Sequence, residues 1–308
     1  MKRKAAIALM LLSPVVAELL SGSAPPREFF NPLIFLLLIS LYGTSALLLR
    51  ELKLYMNGGY TCLLFLGMMY GVLEEGIAVK SFFDPSWPDL GPYGLYGRWH
   101  GVNWIWLVNL TVYHSVWSIV IPVSIVESIF PSISEERWLS RRGYLVLLSI
   151  LTTDLIVINR FVTKYQPEAF GYILSFALMS IFLYLSKICA KRRERERIAS
   201  PRKLLIYSFT WSMLFFILFF TMPLFMPYPV ISLGISILMG YLIFLLVSYL
   251  DSSLTSKEHK LYFSMGPIAS LAILAILQGL QPGKIDMLPV GIVCLILIFL
   301  ALRKIEKH

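Results

Sequence analysis

Glu74 and Glu75 stand side by side in YGVLEEGIAVK, residues 70–80, inside a run apolar enough to cross a membrane. An ionised carboxylate in hydrocarbon costs on the order of several kcal/mol, so both groups must face protein or water. Like charges in contact also make one member of the pair ready to hold a proton, which is what a general base for water requires. His114 lies about forty residues on, inside the next apolar run, and completes the catalytic set expected here: Glu74, Glu75 and His114. Glu18, Arg98, His100, Asn103, Asn109 and Asp154 are the expected supporting residues. Of these, His100 and Asn103, like His114, are candidates to stabilise a developing oxyanion. Two carboxylates and a histidine can also ligate a metal, but neither HExxH nor comparable spacing is present, so no metal and no other cofactor is expected.

These residues need helices to position them. Counted upward from Gly59 at 1.5 Å per residue, Glu75 rises about 24 Å, and Glu18, counted from Ala5, about 20 Å. The three carboxylates then share one quarter of a hydrocarbon core roughly 30 Å thick. The fourth run enters from that same side and brings His114 about 16 Å down, near mid-bilayer. Thr111, His114, Ser115 and Ser118 fall on one helical face, a polar stripe aimed at a neighbouring helix. Asp154 on the fifth run comes to similar depth, where a contact with His114 is possible. A plainer reading stands beside this one. Glu74 or Glu75 is then only the ion-pair partner of Lys80 or Arg98, His114 an interhelical hydrogen bonder, and Arg50 with Glu51 an interfacial pair.

The composition demands the membrane. Of 308 residues 57% are hydrophobic and 15% charged, with a mean hydropathy of +0.74, more apolar chain than a soluble core of this size can hide. Ten runs qualify as spans, near residues 5–22, 31–49, 59–80, 103–130, 143–163, 169–189, 203–226, 229–250, 260–280 and 285–302. The fold class is therefore all-α, a polytopic integral membrane protein of about ten transmembrane helices. The net charge of +9 does not indicate nucleic acid, because the basic residues alternate between loops. With the N-terminus inside, all but six of the 27 Lys and Arg are cytoplasmic; Arg27, Lys80, Arg98, Arg160, Lys164 and Lys284 remain outside. Both termini are then cytoplasmic, and the protein is a multi-pass component of the cell membrane. The N-terminal KRK and following apolar run read as an uncleaved first helix, since Glu18 falls where a signal peptide wants small neutral residues. Cys62, Cys189 and Cys294 give no disulfide framework.

Two parts differ along the chain. Residues 1–130 carry the polar outward-facing site on spans 1–4 with an aromatic loop at 81–104, and residues 131–308 carry spans 5–10, mostly apolar. The loop is either an interfacial aromatic belt or a structured cap, its Gly and Pro fixing turns. The segment Lys191–Lys203 is an inner linker.

The Glu-Glu pair followed by an intramembrane histidine resembles the CPBP intramembrane proteases, of the CAAX-processing and bacteriocin-immunity types. Glu74 and Glu75 match the family's EExxxR pair, with Val79 in place of its Arg; His114 matches the FxxxH histidine, with Leu110 in place of its Phe; the third motif has no counterpart. The longer stretches SPVVAELLSGSAPP, YGVLEEG and YGRWHGVNW resemble an uncharacterised prokaryotic polytopic membrane family, from which no activity follows. The expected function is a membrane-embedded hydrolase of peptide or lipid-linked substrates that arrive laterally from the lipid bilayer. The alternative is a proton-coupled transporter using the same acidic residues and His114 as a relay.

Overall fold

The computed structural model describes residues 1–190, 200–251 and 256–306. The expected inner linker therefore lies mostly outside the described residues, at 191–199. Among the described residues there are ten long helices: α1 (2–19), α2 (Pro32–Tyr55), α3 (Tyr60–Ala78), α4 (Trp104–Ile129), α5 (Arg141–Val162), α6 (Ala169–Ile188), α7 (Pro201–Phe225), α8 (Pro229–Tyr249), α9 (Lys257–Gly279) and α10 (Met287–Lys304). The protein is an all-α polytopic membrane protein. Among the described residues, nine helices, α2 to α10, are long and apolar enough to span, one fewer than the ten runs expected. The difference is α1, whose Lys2, Arg3, Lys4 and Glu18 dilute an otherwise apolar helix.

Burial ranks the helices. The apolar windows of α3 and α4 are 78% and 89% buried, against 17% for α5, α6 and α10, so α3 and α4 form the centre of the bundle. Their contact is a small-residue crossing. A Cβ on Gly67 would sit 2.8 Å from the Ser115 backbone, and one on Gly71 would sit 3.0 Å from that of Thr111. The GxxxG spacing on α3 meets the Thr111/Ser115 spacing on α4, which lets the two backbones approach and brings the next turn of α3 against His114. Gly43 does the same between α2 and α1, where a Cβ would collide with the Met10 carbonyl.

Helix ends are fixed by side chains. Asn31 caps α2 at the Leu33 amide (3.0 Å), Asn103 caps α4 at Trp106 (3.0 Å), and Ser140 caps α5 at Gly143 (3.1 Å). The Asp251 carboxylate, distant in sequence, accepts from the first amides of α3, Tyr60 (2.6 Å) and Thr61 (3.0 Å).

At that end of the bundle the Arg50–Glu51 pair belongs to a buried network rather than to an interface. Glu127 accepts from Arg50 (3.2 Å), Lys53 (2.9 Å), the Tyr60 hydroxyl (2.6 Å) and Lys260 (3.5 Å). Glu51 takes Arg50 (2.7 Å) and the Trp138 amide (2.9 Å), while the guanidinium lies over the Trp138 ring at 3.6 Å. Basic and acidic groups are matched with hydrogen bonds on both sides, the condition for burying ions at acceptable cost.

At the opposite end the 81–104 loop is folded. A two-residue hairpin, β1 (Arg98–Trp99) against β2 (Val102–Asn103), closes it, with Arg98 opposite Asn103 and His100 and Gly101 at its turn. The Arg98 guanidinium donates to the carbonyls of Phe83 (2.8 Å), Gly94 (3.1 Å), Gly101 (3.1 Å) and Asp84 (3.4 Å). Tyr93 and Tyr96 donate to the carbonyls of Phe219 (2.5 Å) and Met226 (2.8 Å), tying the loop to the end of α7. The loop is thus a packed cap over the ends of α3 and α4.

Candidate active site

Five helices widen into a π turn, at Val15–Leu19, Ile39–Gly43, Leu73–Ala78, His114–Val120 and Ile158–Val162. Two of these have a visible cause in proline. Pro14 precedes the first, and Pro122 follows the fourth by two residues. Each lacks an amide and crowds the carbonyl four residues back, so the helix loosens rather than closing a normal turn. The carbonyl that Pro122 releases, Ser118, accepts the Ser13 hydroxyl at 2.6 Å, which pins α1 to α4 beside the site. A π turn adds one residue and rotates the side chains that follow, and such turns concentrate at functional sites. Glu18, Tyr42, the Glu74–Glu75 pair and His114 each occupy one of the first four.

The four π turns converge on His114. Its Nε2 lies 2.8 Å from Glu75 Oε1, and its Nδ1 lies 3.0 Å from the Ser118 hydroxyl and 3.1 Å from Glu74 Oε2. The rings of Tyr42, Tyr70 and Tyr113 surround the imidazole at 6.0, 6.2 and 5.1 Å between centroids. Behind Glu75, Ser81 donates to Oε2 and itself accepts from the Trp106 indole at 2.9 Å. Behind Glu74, the Tyr42 hydroxyl contacts Oε1 and also reaches Glu18 Oε1 at 2.5 Å. One phenolic hydrogen serves one carboxylate, so the second contact requires a proton on Glu18 or Glu74. Glu74 and Glu75 are buried, and among the described residues Glu74 Oε2 has no hydrogen-bond donor.

The ion-pair reading of these glutamates finds no partner in Lys80 or Arg98. Lys80, at a left-handed φ of 64°, donates to the carbonyls of Asn159 (2.7 Å) and Thr163 (3.2 Å) and so ties α3 to the fifth π turn. Arg98 is engaged by loop carbonyls. Among the described residues no Lys or Arg pairs with Glu18, Glu74 or Glu75; the only ionisable base in contact is His114.

Of the supporting residues expected from sequence, Glu18 joins the centre through Tyr42. Asn103 spends its amide on the carbonyls of Tyr93 (2.5 Å) and Tyr96 (3.2 Å), and its oxygen on the helix cap. His100 is exposed, at the mouth of a surface groove of about 640 Å³ lined by Phe83, Trp104, Tyr165 and Phe170. Asn109 is buried on α4 with its amide nitrogen unpartnered. Asp154 is buried on α5 beside the Ser40 hydroxyl, whereas both His114 nitrogens face other groups. Tyr42, Tyr70, Ser81 and Trp106 were not singled out in the sequence. Tyrosine and tryptophan are common in membrane spans, and only packing reveals which hydroxyl meets a carboxylate.

Residues 7–305 match the sequence model of an uncharacterised membrane protein family. No curated protein and no solved structure matches the chain.

Proposed function

We propose, for a chain that belongs to this uncharacterised membrane protein family, a hydrolase embedded in the cell membrane that cleaves peptide or lipid-linked substrates at the Glu74–Glu75–His114 centre. The observation that carries the reading is the Glu74 Oε2 atom, buried, without a donor, and 3.1 Å from an imidazole that Glu75 orients from its other side. That is the layout of a general base beside a general acid. Water attacks the scissile carbonyl as Glu74 takes its proton; His114, protonated and held by Glu75, returns a proton to the leaving group. The Tyr70 hydroxyl, buried and unpartnered, supplies the donor for the oxyanion, a task that Asn103 and His100 do not perform from their positions. An apolar crevice of about 870 Å³ supports lateral entry of an acyl or prenyl chain; it is lined by Val15, Val16, Leu19 and Leu20, which flank Glu18 on its own turn.

The test is release of product from quenched peptides and from lipid-linked substrates by the purified protein in liposomes, with Glu74→Gln as the comparison. Turnover by the parent and its loss in the variant are expected; equal turnover in both overturns the assignment.

One feature favours the second reading, a proton-coupled transporter. Glu18, Tyr42 and Glu74 form a continuous proton-sharing line, and the buried Asp154 stands on α5 at a similar level. Substrate-driven acidification inside liposomes, abolished by Tyr42→Phe, would establish that reading and displace the first.

A further inference from the structure

We infer that Glu74, Glu75 and His114 hold a divalent first-row metal ion, with zinc the best fit. The inference shares its residues with the hydrolytic reading but not its chemistry: the site can bind metal whether or not it cleaves anything.

Three features carry it. One ligand atom from each residue lies within 4.8 Å of the other two, all buried. Ligands about 2.0–2.2 Å from a single zinc ion stand less than about 4.4 Å apart, so small side-chain rotations complete the set. Second, each ligand is held from behind by a different partner: Ser81 on Glu75 Oε2, Tyr42 on Glu74 Oε1, Ser118 on His114 Nδ1. This leaves Glu75 Oε1 against His114 Nε2 and Glu74 Oε2 at the other edge of the ring, 3.1 Å from Nδ1, with one ligand atom from each residue still within reach of a single ion. Outer partners that fix carboxylates and imidazole in this way are what orients a metal's ligands. Third, among the described residues two polar atoms beside the cluster lack a well-formed hydrogen bond: Glu74 Oε2, on a residue 2% exposed, and the hydroxyl of Tyr70, 1% exposed and directed at Glu74. A donor-poor carboxylate oxygen beside a hydroxyl suits a cation with a bound water.

The charges agree. Two carboxylates and an imidazolium leave a net −1 in a buried site, and Glu18 adds another negative charge unless protonated. A dication with neutral imidazole brings the three ligands to zero, and Tyr42 then shares its hydrogen bonding with a protonated Glu18. The mixed set of one nitrogen and two oxygens selects zinc or manganese over calcium, which takes six to eight oxygens, and over magnesium, which keeps its waters. The sequence conceals this set because its members lie on two helices, with no local spacing that a metal motif would show.

The test uses the full chain, purified in detergent through a tag without histidines, stripped with chelator and dialysed against zinc chloride. About one zinc per chain is expected in the parent and in His100→Ala, and retention at least about tenfold lower in Glu75→Gln and His114→Gln. Zinc should raise the melting temperature of the parent and leave those two variants unchanged, and their metal-free melting shows that they are folded. Should a variant fail to fold, the parent still decides: cobalt in place of zinc should give visible d–d bands in the parent. A parent that keeps less than about a tenth of an equivalent, or variants that keep zinc like the parent, overturns the inference. Chelated parent that hydrolyses substrate at full rate upholds the hydrolytic reading whatever the zinc count, so the two readings fail separately. Stoichiometric zinc with no hydrolysis upholds the metal and removes the hydrolase.

Discussion

Glu127 and Glu75 are both buried carboxylates in the same bundle, yet their surroundings predict opposite consequences for the same substitution. Glu127 has three cations and a tyrosine hydroxyl around it. In Glu127→Gln, Lys53 and Lys260 remain buried without their counter-charge while Arg50 keeps only Glu51, and a loss of about 3–5 kcal/mol is expected, measured as a lower melting temperature in detergent. Glu75 has a histidine, a serine and a like-charged neighbour. Glu75→Gln relieves repulsion and keeps the shape, so the protein should melt at or above the parent temperature while losing turnover. A Glu75→Gln protein that melts well below the parent assigns the residue to the fold instead. The carboxylates were legible in the sequence because a charge in an apolar run is expensive and so conspicuous. Glu127 was not, because it lies near the end of its span, where a charge looks affordable at an interface; its burial depends on α9 bringing Lys260 from 133 residues away.

At the scale of the element, spans were legible and their local winding was not. Apolar length identifies a helix, but a π turn differs from an α turn by one inserted residue and leaves no periodic mark over five to seven residues. Depths counted at 1.5 Å per residue therefore placed the glutamates and His114 in neighbouring layers without showing that they touch. What joins them is the rotation at each π turn together with the close crossing of α3 on α4. That crossing gives a direct prediction. Gly67→Ala drives a methyl into the Ser115 backbone, its Cα at 2.8 Å and carbonyl at 3.0 Å, as well as the Ser115 hydroxyl, and about 1–3 kcal/mol of stability should be lost. Gly234→Ala on α8 meets nothing within 4 Å and should be neutral or slightly stabilising, since alanine is the better helix former. Paired thermal melts of the two variants check this. Similar losses in both would mean that α3 and α4 have room to separate, and that the tight crossing does not hold the site together.

At the scale of the molecule, the two buried clusters lie at opposite ends of the bundle, and their characters match the charge asymmetry of the chain. The matched network of Arg50, Glu51, Lys53, Glu127 and Lys260 sits at the end rich in Lys and Arg. The acidic centre sits under the capped loop at the end poor in them. By the positive-inside rule the first end is expected in the cytoplasm and the acidic centre on the outer side. The count of spans bears on this orientation: if α1 does not cross, the remaining nine put the two termini on opposite sides, and Lys2, Arg3 and Lys4 move to the outer side against the rule. Its packing favours crossing, because Ser13 bonds the backbones of α2 and α4, and Ala5 and Leu9 are fully buried, which a surface helix would not require. Single cysteines in a chain freed of Cys62, Cys189 and Cys294 resolve the matter. A cysteine at Ser86 in the cap should react with membrane-impermeant maleimide on intact cells, and cysteines at Met1 and at Lys191 should react only after permeabilisation. Labelling of Met1 from outside, with Lys191 still protected, would take α1 out of the membrane. Glu18 would then have to reach Tyr42 from the surface, and a proton-sharing line between buried groups would no longer describe the site.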